Sequence, residues 1–396
     1  MKHTAFCFFG LSFQALTLVA CGSSSSNKTT GNNAGEDGGA ANEASAGPTA
    51  LPAWADAGAP ITGTNDMNWT WVDVPTAFCR NGSATGFWVN PNSASKKLMI
   101  FLEGGGACFN ALTCAANPSA AAGGSSYAGS TAGILNRGDM ANPVHDWNFV
   151  DFPYCSGDVF SGNNPNGMVQ GAGAQQFVGY LNVAEFMKRI VPTFPDVTQV
   201  LLTGVSAGGF GSSANYGQVA RAFAPVPVTL LDDSGPQMRD PYLAKCLLQA
   251  QSTLWGWDKT LIAECGSDCP DVGSLPVDAS KHIATRYPHA PLALIEATDD
   301  MTITGFFGFG LNNCTGSFTT PVPKQQFTDG LNDARMQLSA YPNVGGFIFD
   351  GTRHTSLSTQ SAFDTQTVPT TDGGTVSLKD WVTDIVVNGK IANVGP

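Results

Sequence analysis

From residue 61 onward, short apolar runs alternate with stretches of helical periodicity. Lys97 to Leu102 is almost continuously apolar and stops at Glu103-Gly104-Gly105-Gly106. Trp147 to Phe152 alternates and stops at Pro153, and Gln199 to Thr203, Val228 to Leu231, Leu292 to Ile295 and Phe347 to Phe349 are similar apolar runs. Runs of this length bounded by turn residues read as strands buried on both faces. Between them, Val183, Phe186, Met187, Ile190 and Val191 recur at helical spacing. Asn182, with Glu185 three residues on, predicts a capped start for that helix, and Pro192 and Pro195 predict its end. A last helix is expected from about Ser377 to Asn388-Gly389, with Leu378, Trp381, Val382 and Ile385 on one face. Strands alternating with helices predict an α/β fold, a mostly parallel central sheet with helices on both faces. Gly-rich stretches at 104–133 and 156–173 are expected to be long loops above the sheet. No composition break or internal repeat follows residue 60, so residues 61–396 are expected to form one domain.

The first sixty residues depart from this pattern. Lys2 and His3 precede an apolar run from Ala5 to Ala20, short for a membrane span and right for the core of an export signal. The run ends Leu18-Val19-Ala20-Cys21-Gly22, which resembles a bacterial lipobox. Residues 1–20 are therefore expected to be a lipoprotein signal peptide. Cys21 would be the lipid-modified new N-terminus of an exported chain, held at the outer membrane or cell surface. The Gly/Ser/Asn-rich stretch from 21 to 60 reads as a flexible tether. The chain has 396 residues, 13% of them charged, and a formal net charge of −12. That balance disfavours a polyanion-binding surface, so no nucleic-acid partner is expected. Of the ten cysteines, Cys7 would leave with the signal and Cys21 would take lipid. The other eight are expected to pair as disulfides, as exported chains allow. No Cys-x-x-Cys pair is matched by a second and only four histidines follow the signal, so zinc is not expected, and nothing in the sequence signals any other cofactor.

Candidate chemistry centres on Gly204-Val205-Ser206-Ala207-Gly208, a G-x-S-x-G pattern. The pattern is weak by itself in a chain with 46 glycines. Its context carries the weight, because it follows the strand at 199–203 and opens a segment, Ala207 to Phe223, that can be helical. A strand–elbow–helix turn exposes a serine hydroxyl at the C-terminal edge of such a sheet. The hydroxyl needs a base, and the base an orienting carboxylate. In α/β-hydrolases the chain order is Ser, acid, His, which places His145 out of order. His282 and His289 precede the next strand and would sit at its wrong end. His354, in Asp350-Gly351-Thr352-Arg353-His354-Thr355, follows the strand at 347–349. The acid is expected after Leu292–Ile295, where Asp299 and Asp300 both qualify and one of them would cap the following helix. Asp232 and Asp233 are weaker alternatives. Oxyanion donors are expected from the Ala207 N–H and from the loop Glu103 to Cys108, which resembles the HGGG-type loop of esterases with Glu in place of His.

Five segments together make the chain similar to the pectin acetylesterase/Notum family of α/β-hydrolases. They are Phe101 to Asn110, Pro153 to Asp158 with Ser161-Gly162, Gly204 to Gly209, Asp233-Ser234-Gly235, and Gly351 to Thr355. The resemblance implies Ser206 as nucleophile, His354 as base and backbone donors around Gly105, Gly106 and Ala207. The family's acid stands in an Asp-x-x-Gln context, whereas Asp299 precedes Thr302 at that spacing and Asp300 precedes Ile303. Asp300 is preferred, because a helix through Thr302 and Ile303 starts more naturally just after it; Asp299 remains the alternative. Gly106 and Ala107 stand where the family often has an aromatic residue. The resemblance also implies disulfides Cys79–Cys155 and Cys108–Cys114, with the pairing of Cys246, Cys265, Cys269 and Cys314 open. The implied protein is a monomeric serine carboxylesterase. It would remove acyl groups, acetyl in the first instance, from a substrate such as acetylated pectin, and would touch the membrane only through its lipid. A lipid or polyester esterase is the alternative, with Phe306, Phe307 and Phe309 lining an acyl pocket. A non-catalytic glycan-binding lipoprotein on the same scaffold is another.

Overall fold

The computed structural model describes residues 57–121 and 127–396. The signal segment, Cys21 and the tether up to residue 56 lie outside the described residues. The strands, in chain order, are β1 (Thr70–Phe78), β2 (Ala84–Asn90), β3 (Lys97–Leu102), β4 (Asn148–Phe152), β5 (Asn164–Val169), β6 (Gly173–Phe177), β7 (Gln199–Val205), β8 (Val228–Asp233), β9 (Leu292–Ala297), β10 (Val344–Phe349), β11 (Thr367–Pro369), β12 (Thr375–Ser377) and β13 (Asn393–Val394). Among the described residues nine of them form one sheet, in the order β1-β2-β4-β3-β7-β8-β9-β10-β13. From β4 through β13 neighbouring strands are parallel, while β1–β2 and β2–β4 are antiparallel.

The continuous apolar runs are explained by cover on both faces. Leu98, Ile100 and Leu102 of β3 pack on one side with Phe186, Met187 and Tyr216, which come from the helices Gly179–Thr193 and Ala207–Phe223. Met99 and Phe101 pack on the other with Trp381 and Ile385 of the helix Leu378–Asn388. That last helix has the predicted ends, with the Ser377 hydroxyl accepting from the Asp380 N–H and Gly389 in the left-handed conformation.

Several local expectations give way to tertiary contacts. The helix expected at Asn182 begins at Gly179, and no side chain of its own N-cap bonds there. Asp158, buried in the loop after β4, accepts the Gly179 N–H at 2.8 Å. Asn182 lies inside the helix and pairs with the Phe78 backbone, accepting its N–H at 2.9 Å and donating to its carbonyl at 2.8 Å. Pro192 does not end the helix, which runs to Thr193. Having no N–H, it leaves the Lys188 carbonyl free, and the Gly58 N–H takes that acceptor at 2.8 Å. Arg189 Nε donates to the Ala59 carbonyl and the Ile61 N–H to Thr193 Oγ1. Gly58 and Ala59, assigned from sequence to the tether, are therefore pinned to this helix.

The expected loop at 156–173 holds β5, whose two-stranded sheet with β6 runs on to Phe177. The loop at 104–133 contains the helix Ala111–Ala116, closed by a capping box between Asn110 and Thr113. The described cysteines pair as Cys79–Cys155, Cys108–Cys114, Cys246–Cys314 and Cys265–Cys269. No described helix is long and apolar enough to cross a membrane.

Candidate active site

Five parallel strands deliver the candidate residues to one edge of the sheet. The loop after β3 carries Gly104–Gly106, β7 runs into Ser206, β8 ends at Asp232 and Asp233, β9 leads to Asp300, and β10 leads to His354. Ser206 stands between β7 and the helix Ala207–Phe223 with φ 58° and ψ −120°, a left-handed conformation for a non-glycine residue. Such a backbone costs on the order of 1–3 kcal/mol and persists only where the surroundings fix it. Gly204 and Gly208 permit the turn. A Cβ on Gly208 would lie 2.0 Å from the Leu102 carbonyl oxygen, and one on Gly204 would lie 2.3 Å from the Gly208 oxygen. Ser206 is thereby placed at the N-terminal, electropositive end of a 17-residue helix.

His354 Nδ1 lies 2.7 Å from Asp300 Oδ2. The other oxygen, Oδ1, accepts from the N–H groups of Thr302 and Ile303 at 2.8 and 2.9 Å, which makes Asp300 the N-cap of the helix Met301–Gly308. Both contacts belong to one fully buried carboxylate, whereas the sequence had divided the candidate acid and the helix cap between neighbouring aspartates. Asp299 is brought to the loop after β10 only through its N–H, which donates to the Gly351 carbonyl at 3.0 Å. With Nδ1 given to the carboxylate, Nε2 is the imidazole nitrogen left to exchange a proton. His145 Nδ1 lies against the Asn142 carbonyl and His282 Nδ1 against Asp268, and neither is on the loops that carry Ser206, Asp300 and His354.

The glycine loop lies on the elbow, since a Cβ on Gly104 would come 3.2 Å from Ser206 Cβ. Asn117 Nδ2 donates to the Gly105 carbonyl at 2.7 Å. Across a trans peptide the N–H of the next residue points opposite to that carbonyl, so this bond fixes the direction of the Gly106 N–H. Asn117 is held in turn by the buried Arg80, whose guanidinium donates to Asn117 Oδ1 at 3.1 Å, to the Asn117 carbonyl at 2.6 Å and to Gln175 Oε1 at 2.6 Å. No acceptor among the described residues takes the N–H of Gly105, Gly106 or Ala207. Sequence reasoning missed Asn117 and Arg80, which carry no motif of their own. Phe306 Cζ would meet a Cβ on Gly106 at 3.3 Å, so an aromatic from the helix Met301–Gly308 stands against the loop position expected from the family resemblance to hold one.

A cavity of about 210 Å³ opens from Ser206, Gly106 and Ala207 and runs between Phe210, Leu247, Phe306 and Phe307. Phe309, expected on its wall, packs instead against Phe109 and Phe318. Asp232 is a polar feature of the wall. Burial pushes its carboxyl up to about 8, and Oδ2 accepts from Ser213 Oγ at 2.7 Å while Oδ1 has no hydrogen-bond partner among the described residues. Burial likewise raises Asp233 to about 6 and Glu296 well above the carboxylate range. No cluster of three or more metal-ligating side chains occurs among the described residues.

The pectinacetylesterase family profile matches residues 62–260. The chain is 32% identical over 179 residues to palmitoleoyl-protein carboxylesterase notum1' of Xenopus laevis, covering 40% of this chain and 34% of that one. It is 33% identical over 143 residues to pectin acetylesterase 5 of Arabidopsis thaliana, covering 34% and 33%. It thus spans about a third of the length of these curated relatives. The structure of the Wnt deacylase Notum from Drosophila superposes with a TM-score of 0.62 at 20% identity, over 83% of this chain and 95% of that one. The sheet is therefore that of a Notum-like α/β-hydrolase. The matched span holds the glycine loop, the elbow and the Asp233-Ser234-Gly235 turn, and on it the chain belongs to the pectinacetylesterase family.

Proposed function

We propose that the protein is a serine carboxylesterase with Ser206, His354 and Asp300 as its triad and residues 61–396 as its catalytic domain. The observation that carries this reading is the 2.7 Å contact of His354 Nδ1 with a buried carboxylate, on the same sheet edge as a strained serine elbow. His354 Nε2 takes the Ser206 proton as the oxygen attacks the ester carbonyl. The N–H groups of Gly105, Gly106 and Ala207 receive the oxyanion. The protonated His354 then gives its proton to the departing alcohol, and water reverses the sequence to release the acid.

The family supports an O-acetylated polysaccharide such as pectin as substrate. The apolar cavity beside Ser206 favours a second reading, an ester with a longer acyl chain, because acetyl leaves most of that surface unused. Purified protein assayed on p-nitrophenyl acetate and octanoate, with acetylated pectin alongside, separates the two. Ser206→Ala is expected to lose about 10⁴-fold or more in kcat and all labelling by a fluorophosphonate. Full activity in Ser206→Ala overturns the nucleophile assignment, and absence of labelling in the folded native chain favours a glycan binder.

A further inference from the structure

The Asp233-Ser234-Gly235 turn has no part in the chemistry above, yet it lies between the nucleophile and the base. Strand β8 pairs with β7 on one side and β9 on the other, with Asp233 opposite Val205 and Ile295. The Asp233 carbonyl accepts the Ser206 N–H at 2.8 Å. Its carboxylate Oδ2 accepts the N–H groups of Ser356 and Leu357, both at 2.7 Å. Those are the second and third residues after His354. Ser234 Oγ accepts the N–H of the intervening Thr355 at 3.0 Å. Ser234 and Thr355 both hold positive φ, 64° and 62°, so two strained non-glycine residues face each other across that bond. The Ser234 N–H, in turn, donates to the Ile295 carbonyl of the acid strand at 3.0 Å.

We infer that Asp233 and Ser234 form a positioning clasp that fixes the base loop against the nucleophile elbow and so governs the chemical step rather than substrate binding. This rests on the triad proposed above. Three consecutive N–H groups after His354 end on two adjacent side chains, and the backbone of the first of these holds Ser206. A shift of the base loop relative to the elbow therefore has to break bonds at Asp233. The arrangement is costly, because the carboxylate is fully buried, and its hydrogen bonds, with the nearby His354, offset only part of its desolvation. A neutral side chain of the same shape would suffice for the accepting role. An asparagine oxygen can take both N–H groups while its NH₂ faces Ser234 Oγ, which has lone pairs for that and for Thr355.

The test is steady-state kinetics on p-nitrophenyl acetate for Asp233→Ala, Asp233→Asn and Ser234→Ala, with Ser206→Ala as reference. Asp233→Ala is expected to lower kcat about 100-fold, the scale of a misplacement of about 1 Å, with KM within about threefold. Asp233→Asn is expected to recover to within about fivefold of native, and Ser234→Ala to lose about tenfold in kcat. Native kcat in Asp233→Ala, a loss confined to KM, or a loss that Asp233→Asn does not recover overturns the clasp. If Asp233→Ala does not fold, Asp233→Asn and Ser234→Ala decide, and native kcat in Ser234→Ala overturns it. An active Ser206→Ala sinks the triad itself. An inactive Ser206→Ala beside a fully active Asp233→Ala sinks only the clasp.

Discussion

Asp300 spends one oxygen on His354 and the other on the first turn of a helix, so the imidazole is oriented by a group that cannot rotate without uncapping Met301–Gly308. Asp300→Asn is expected to lower kcat about 10⁴-fold by presenting the wrong partner to Nδ1. Asp299→Asn is expected to stay within about twofold, because only its backbone reaches the base loop. Kinetics of the two variants side by side check this. Asp232 leaves a signature in stability rather than rate. Its folded value of about 8 lies above the ordinary 3.8, so between those two pH values the folded state holds a proton that the unfolded state has released. Its contribution therefore falls as pH rises through that window, with a slope of at most about 1.4 kcal/mol per pH unit. Asp232→Asn is expected to flatten the decline in urea-unfolding stability between pH 5 and pH 8.

At the scale of elements, the glycine loop Gly104–Gly106 is held by a helix too short to stand alone. Ala111–Ala116 is capped by Asn110, tied by Cys108–Cys114 and followed by Asn117, which reaches back to Gly105. Asn117→Ala is expected to lower kcat about tenfold with KM little changed, since the Gly106 N–H would be free to turn from a forming oxyanion. A kcat equal to native would remove Asn117 from the account. The parts of the site legible in the sequence were those written locally. The strand Gln199–Val205, the glycines around Ser206 and the helix after it sit within 25 consecutive residues, and His354 follows its strand directly. The illegible parts join distant segments. Asn182 looked like a cap because it precedes Glu185 by three, but Phe78, 104 positions away, claims its amide. Asn117 and Arg80 have roles only once segments 37 positions apart have come together. The hairpin β5–β6 was hidden because Gly171 and Gly173 make a strand connection look like plain loop.

For the molecule as a whole, the disulfides among the described residues tie loops and short helices rather than the strands of the sheet. Cys79 and Cys155 are 0% and 2% exposed and close a separation of 76 residues, so a mild reductant meets that bond only after the domain opens. Thiol labelling followed by mass spectrometry is expected to show Cys79 and Cys155 protected from dithiothreitol in native buffer and modified in urea. Labelling in native buffer would show that the Cys79–Cys155 region opens without global unfolding. The stitching of Gly58 to Ile61 along the helix Gly179–Thr193 bears on how far the protein can be shortened. That helix ends at Thr193, just before β7 begins at Gln199, whereas Ser206 follows the far end of β7, about 23 Å along a strand of this length. Gly58 to Ile61 therefore brace the last turns of that helix, at the end remote from Ser206, so trimming the chain past Ile61 should cost stability without disturbing the elbow.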